Sequence, residues 1–114
     1  MDNCIFCKVV NRSIPSKIIF ENENICAFED LHPQAPTHIL VVPKKHIATL
    51  NDATTEDQAL LGEVILAASM IAKDRHISSS GYRLVANTMA GAGQSVFHIH
   101  FHLLGGRSLA WPPG

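Results

Sequence analysis

The sequence has 114 residues, of which 46% are hydrophobic and 17% are charged, and its net charge at pH 7 is -1. This length suits one domain with its own apolar core, spanning residues 1–114. The near-neutral charge excludes a broad basic surface for polymeric nucleic acid, and no apolar stretch approaches the ~20 residues that span a bilayer. Three cysteines are an odd number, which disfavours a secreted disulfide scaffold. We therefore expect a cytoplasmic protein without a membrane partner.

The first half of the chain predicts short elements. Residues 5–11 predict a single helical turn. Two apolar runs, residues 17–20 and 25–29, predict the strands of a hairpin. Two prolines make residues 33–36 a loop. Residues 38–42 are apolar on both faces, which predicts a strand at the centre of a sheet or against a partner subunit.

Residues 55–76 predict the main helix. Thr55 is the predicted N-cap, with Gln58 three residues later. The helix carries an apolar stripe at 3.6-residue spacing, which we assign to the core rather than to a partner groove: Leu60, Leu61, Val64, Ile65, Ala67, Ala68 and Ile71.

Two more strands are predicted at residues 82–86 and 96–104, and residues 87–95 join them. That connection is long for a bare hairpin, which favours a functional loop. One helix among some five short strands indicates an α+β domain with a five-stranded antiparallel sheet.

The last strand alternates imidazole and apolar side chains. Because successive side chains of a strand point to opposite faces, His98, His100 and His102 should share one face. The apolar residues between them should then face the core: Phe97, Ile99, Phe101 and Leu103. Three aligned imidazoles point to chemistry rather than to an ordinary solvated surface.

Two kinds of chemistry fit this pattern. Three ring nitrogens can hold a catalytic zinc with a fourth position open to water. Alternatively, one imidazole attacks an electrophile while its neighbours set its tautomer and bind the attacked anion. The residues that follow, Gly105, Gly106 and Arg107, offer no carboxylate to orient metal ligands, which mildly disfavours the metal.

The run His98-Ile99-His100-Phe101-His102 resembles the signature of the histidine-triad (HIT) proteins, in which apolar residues separate three histidines. Resemblance to the Hint branch extends over nearly the whole chain. It includes Ile14-Pro15, Phe28-Glu29-Asp30, residues 33–38, Pro43-Lys44-Lys45-His46, Gly81-Tyr82-Arg83, Gly93-Gln94-Ser95, Gly105-Gly106-Arg107 and Trp111-Pro112-Pro113-Gly114.

The resemblance implies a covalent mechanism in which His100 attacks the α-phosphorus of a nucleotide and water then hydrolyses the nucleotidyl-histidine. His102 would contact the phosphate oxygens, and His98 would orient the nucleophile. His38 would complete the polar network around His100. An imidazole with a pKa near ~6.5 is mostly neutral at pH 7, so this chemistry requires no metal cofactor.

The same resemblance assigns the substrate-binding residues. Ser95 and Gln94 would hold the phosphate and the leaving group, Gly93 would let the backbone approach, and Asn87 would face the phosphate. Asp30 would accept hydrogen bonds from the ribose. The remaining residues would form an apolar pocket for the base: Ile5, Phe6, Ile14, Phe28 and Leu31.

Two cysteines precede this site. Cys4 and Cys7 have the spacing that lets one turn present two thiolates to zinc. By resemblance, His46 and His98 would complete a structural zinc site, and two free thiols are the alternative. Cys26, between two apolar residues, is expected to be buried.

The resemblance further implies a homodimer in which two sheets form one larger sheet and the Trp111 tail reaches the partner's active site. The implied activity is hydrolysis of the P–N bond in adenosine 5′-phosphoramidates or aminoacyl-adenylate-like compounds. Two other functions stay open, a nucleotide-binding interaction protein with incidental hydrolysis and a dinucleoside polyphosphate hydrolase. A zinc hydrolase built on the triad is a further alternative.

Overall fold

A computed structural model describes residues 3–114 and contains two helices and five strands. The chain runs through α1 (Ile5–Val10), β1 (Ile18–Glu21), β2 (Ile25–Glu29), β3 (Thr37–Pro43), α2 (Gln58–Asp74), β4 (Tyr82–Val85) and β5 (Phe101–Gly105). Short 3-10 turns lie at Leu50–Asp52, Thr55–Asp57 and Ala90–Ala92. The predicted α+β class, with a five-stranded antiparallel sheet and one main helix, is confirmed. Within the described residues 3–114, neither helix has the length and apolar character needed to span a membrane.

The sheet order is β1-β2-β3-β5-β4, and every neighbouring pair is antiparallel. Strand β3 is buried along its whole length and pairs on both sides. Its predicted place at the sheet centre is therefore confirmed. Within residues 3–114, the edge strands of the sheet are β1 and β4, so these are the strands that could pair with another sheet.

The two faces of the sheet carry different residues. Helix α2 covers one face, where Val64, Ala68 and Ile71 pack against Ile39 and Val41 of β3. Helix α1 lies over part of the other face, where a second apolar cluster gathers Phe6, Val9, Cys26, Phe28, Leu40 and Val42. Within residues 3–114, every buried side-chain nitrogen or oxygen has a hydrogen-bond partner.

The main helix differs from its prediction at both ends. Thr54, not Thr55, caps the 3-10 turn that leads into α2, because its side chain accepts from the N–H of Glu56 while the Asp57 carboxylate accepts from the Thr54 N–H. The helix itself begins at Gln58 and ends at Asp74. Ile65, assigned to the core, is 46% exposed. It lies near two other exposed apolar residues of α2, Leu66 and Met70.

The last strand is shorter than predicted. It begins at Phe101 rather than at residue 96, since the backbone of the preceding segment bonds to the chain after β3: the N–H of Ile99 donates to the Ile47 carbonyl at 2.7 Å. Phe97, predicted to face the core, is 45% exposed. Regular strand geometry is confined to Phe101–Gly105, although Ile99, predicted to face the core, is buried with 3% of its surface exposed.

Candidate active site

A cavity of about 260 Å³ opens beside α1 on the face of the sheet opposite α2. Its apolar wall includes Ile5, Phe6, Phe28 and Leu31, and its polar wall includes Asp30, Ser95, His100 and His102. A neighbouring cavity of about 370 Å³ shares Ile5, Ser95 and Val96 with it. Ser95 thus lines both cavities.

The His100 imidazole has one nitrogen fixed and one free. Its Nδ1–H donates to the carbonyl of His98 at 2.8 Å, so the lone pair belongs to Nε2. The Phe6 ring packs edge-on against the imidazole, with centroids 4.9 Å apart. Burial lowers the pKa of His100, which keeps the ring neutral at pH 7 and leaves Nε2 able to act as a nucleophile.

A chain of hydrogen bonds fixes the tautomer of His102. The N–H of Gln34 donates to Nδ1 of His38 at 3.0 Å, so the proton of His38 is on Nε2. That Nε2–H donates to Nδ1 of His102 at 2.9 Å, with Asp30 Oδ2 3.4 Å away as a second acceptor. The proton of His102 is therefore on Nε2, where it can donate to an anion in the cavity.

Both imidazoles of this chain stay neutral. Burial, together with the neighbouring imidazoles of His100 and His38, lowers the pKa of His102 to about 4. Burial also lowers the pKa of His38, although the Asp30 carboxylate opposes this effect. Fixed neutral donors stabilise developing charge without reorganising, which suits a site that binds a phosphate in its reacting state.

The loop after β4 places Ser95 at the cavity. The loop contains Gln94, which is 5% exposed. The Gln94 side chain accepts from the N–H of Met89 at 2.8 Å and donates to the carbonyls of Ala48 and Val96 at 2.8 and 3.1 Å. Both amide hydrogens of Gln94 are thus used within the protein, and its side chain does not line the cavity.

The structure brings most of the predicted site residues together. The cavity wall contains Ile5, Phe6, Phe28, Asp30, Leu31, Ser95, His100 and His102. Ile14 packs against the apolar cluster behind the wall, and His38 reaches the cavity through His102. Asn87, Gly93 and Gln94 belong to the loop but are not part of the wall.

Several wall residues were not predicted from the sequence: Val9, Pro15, Ser16, Glu29, His32, Leu40 and Val96. Two of them adjoin predicted residues, since Pro15 follows Ile14 and Glu29 precedes Asp30. That adjacency was the available signal. Leu40 lies in the apolar run of β3, which carries no mark that one of its residues reaches a cavity.

The first triad histidine belongs to a different cluster. The Nε2–H of His98 donates to the Pro43 carbonyl at 2.7 Å, which directs Nδ1 toward the cysteines. Nδ1 lies 3.4 Å from Cys4 Sγ and 3.6 Å from Cys7 Sγ, and Nδ1 of His46 lies 3.4 Å from Cys7 Sγ. Burial raises the pKa of the Cys7 thiol to about 11.

These four side chains fit a tetrahedral zinc ion. With bonds of about 2.3 Å to sulfur and about 2.0–2.1 Å to nitrogen, the sulfur–nitrogen edge of such a site is about 3.5 Å, close to the distances found. The three triad imidazoles do not converge in this way. Within residues 3–114, the groups with converging ligand atoms are Cys4, Cys7, His46 and His98, and Asp30, His38 and His102. This arrangement disfavours a zinc held by the triad itself.

Comparison with protein families gives a match to the HIT domain model over residues 11–109. A purine nucleoside phosphoramidase from Escherichia coli K12 is 47% identical over 108 residues, which cover 95% of this chain and 91% of that protein. An uncharacterized HIT-like protein from Synechococcus elongatus is 52% identical over 113 residues, which cover 99% of this chain and 98% of that protein.

Among solved structures, a HIT family hydrolase from Legionella pneumophila Philadelphia 1 superposes with a TM-score of 0.97 at 53% identity. The match covers 98% of this chain and all of that one. A HIT family hydrolase from Clostridium thermocellum has a TM-score of 0.94 at 42% identity, covering 96% of each chain. Fold and sequence therefore agree on one family.

Proposed function

Because this chain belongs to the HIT domain family, we propose that it hydrolyses the P–N bond of purine nucleoside 5′-phosphoramidates through a nucleotidyl-histidine on His100. The observation that carries the proposal is the fixed tautomer of His100, whose Nδ1–H donates to the His98 carbonyl and whose Nε2 holds the lone pair. The name of the E. coli relative, purine nucleoside phosphoramidase, supports the same reaction.

The reaction has two balanced steps. In the first, the Nε2 lone pair of His100 forms a bond to the α-phosphorus while the P–N bond breaks and its electron pair goes to the leaving nitrogen. That nitrogen takes a proton from solvent through the Ser95 hydroxyl and leaves as an amine. In the second, water adds hydroxide to phosphorus, the His100–phosphorus bond breaks, and a proton returns to solvent. One water is consumed, and the products are a nucleoside monophosphate and an amine.

The substrate fits the cavity in three parts. The base lies against the apolar wall formed by Ile5, Phe6 and Phe28. Asp30 accepts hydrogen bonds from the ribose hydroxyls. The phosphate lies between His100 and the Nε2–H of His102, which donates to a phosphoryl oxygen as charge develops there.

The decisive experiment measures steady-state hydrolysis of an adenosine 5′-phosphoramidate by wild type and by His100→Ala, each with and without a chelator. We expect turnover to fall by at least about 10³-fold in the variant while AMP affinity is kept and the chelator leaves wild-type chemistry intact. Wild type that binds AMP without turnover would support an interaction protein instead. Faster cleavage of a dinucleoside polyphosphate would identify that class as the substrate instead. Loss of turnover with chelator, in protein that stays folded and still binds AMP, would place the chemistry on zinc.

We also propose a structural zinc held by Cys4, Cys7, His46 and His98. The sulfur–nitrogen distances of 3.4–3.6 Å support it. The ion would cross-link α1 to the segment before β5 and would not touch the substrate. Elemental analysis should give one zinc per chain in wild type and none in Cys7→Ser, whereas Cys26→Ser, in a buried cysteine outside the cluster, should keep the metal.

A homodimer is the third proposal, and two observations support it. The edge strand β4 is free to pair with a second copy, and α2 exposes Ile65, Leu66 and Met70. The exposed Trp111 lies next to Ala110, whose carbonyl accepts from Arg83 of β4 at 2.9 Å, so the tail lies beside that edge. Sedimentation should show a dimer in wild type and a monomer in Leu66→Lys, with Glu23→Lys, in the exposed turn between β1 and β2, as the control.

A further inference from the structure

Gln94 holds the loop from Met89 to Ser95 in a conformation that the backbone alone disfavours. Met89 has φ 72° and ψ 165°, a region that L residues rarely populate and glycine adopts freely. Its N–H donates to Oε1 of Gln94, and its carbonyl accepts from the N–H groups of Ala92 and Gln94. Both backbone polar groups of the disfavoured residue are thus bound inside the loop.

The same Gln94 side chain also bonds to the chain on the far side of Ser95. Its Nε2 donates to the carbonyl of Val96, the residue after Ser95, and to that of Ala48, which belongs to the chain after β3. The backbone of Gln94 is tied to Met89 on the other side of Ser95. Ser95 is therefore flanked by two anchored residues and faces the cavity that also contains His100.

We propose that Gln94 is a positioning residue for the reaction, acting through Ser95, and not a phosphate ligand. The inference rests on the proposed function, because it concerns the geometry of the phosphoramidate-cleaving site. Without the three hydrogen bonds of Gln94, Met89 returns to a common backbone conformation and Ser95 moves away from the leaving nitrogen. A misplacement on the scale of 1 Å can cost about 100-fold in rate.

The experiment compares wild type with Gln94→Met, which keeps the length of the side chain and removes its hydrogen bonds. We expect kcat for an adenosine 5′-phosphoramidate to fall by about 10- to 100-fold, with KM and AMP affinity changed far less, because the base and ribose contacts lie on the other wall. A fall confined to thermal stability, with kcat intact well below the melting temperature, would overturn the proposal.

A second substitution separates positioning from general loosening. Met89→Gly removes the backbone penalty, so Gln94→Met with Met89→Gly should recover a large part of kcat. The matched control is Gln94→Met with Ala92→Gly, which adds a glycine to the same loop at a residue without positive φ, and it should recover nothing. Equal recovery in both double variants would overturn the proposal.

Two further outcomes are informative. If Gln94→Met does not fold, Met89→Val in the wild-type background tests the same idea, because a β-branched residue is strongly disfavoured at positive φ and kcat should fall with AMP affinity kept. Unchanged kcat in that variant would contradict the proposal.

Wild type without any turnover would overturn the proposed function itself, whereas an active wild type with an equally active Gln94→Met overturns only the role of Gln94.

Discussion

The two faces of the sheet differ in what they bury. The face under α2 is built from apolar side chains, such as Ile39, Val41 and Leu103. The face beside α1 buries polar groups as well, namely His38, Gln94, His98 and His100. Each of these has a fixed hydrogen-bond partner, which lets neutral polar groups be buried without a large penalty. The first face should therefore govern unfolding and the second should govern turnover.

The largest expected effect tests the apolar face. Leu103 is fully buried in the cluster under α2, so Leu103→Ala should lower the free energy of unfolding by about 3–5 kcal/mol. Urea denaturation measures this change. Turnover per folded molecule should stay near the wild-type value, and a large loss of kcat in folded protein would show that the faces are not separate.

His102, the neighbour of Leu103 on β5, points to the opposite face and provides the matched test. His102→Ala removes the Nε2–H donor, so kcat for a phosphoramidate should fall by about 100-fold or more. The free energy of unfolding should change less than in Leu103→Ala. His38 loses its acceptor on His102, but its Nε2–H can still donate to Asp30 Oδ2, which lies 3.4 Å away. If Leu103→Ala and His102→Ala changed stability and kcat to the same extent, the two faces of β5 would not have separate roles.

The pH dependence of stability should come from the histidine face. The pKa of His102 is lowered to about 4 and that of His38 is also lowered, so the unfolded chain binds protons more readily than the native protein. Stability should be complete above about pH 6.5 and should fall progressively as the pH drops toward about 4. Thermal melts across this range measure it. His102→Gln should flatten the profile, and an equally steep profile would exclude His102 as a contributor.

The smallest expected effect lies far from the cavity, at the start of α2. Thr54→Ala should lower the free energy of unfolding by about 1 kcal/mol because it removes a capping side chain. Thr55→Ala, one residue later, should change it by less than about 0.5 kcal/mol. Neither variant should alter turnover. A larger loss of stability in Thr55→Ala than in Thr54→Ala would show that Thr55 is the cap, as the sequence pattern predicts.

Periodicity predicted the parts of the fold that depend on local spacing. The strand at the sheet centre followed from the unbroken apolar run of residues 38–42, and the helix followed from its 3.6-residue stripe. The exposure of Ile65 and the true cap at Thr54 did not follow. Which residues of the apolar stripe are buried depends on how α2 packs against β3. The position of the first turn depends on Asp57, whose carboxylate also accepts from Lys45 at 2.6 Å.

The candidate site was predictable where resemblance supplied residues and not where distant segments meet. The cavity wall contains two of the three triad histidines, His100 and His102, together with Asp30. Gln94 was expected at the phosphate, yet its side chain binds Ala48, 46 residues away in sequence. No local pattern records such a contact. A second long-range contact, from the Ile99 N–H to the Ile47 carbonyl, accompanies the late start of β5 at Phe101, after His100, and the exposure of Phe97.

Strand β3 has a practical consequence for engineering. Its odd-numbered positions, Ile39 and Val41, face α2. Its even-numbered positions, His38, Leu40 and Val42, lie on the opposite face, which also carries α1 and His102. Libraries restricted to odd positions of this strand would search for heat tolerance, while libraries restricted to even positions would search for altered substrate scope. One seven-residue segment thus offers two nearly orthogonal screens, distinguished only by the parity of the residue number.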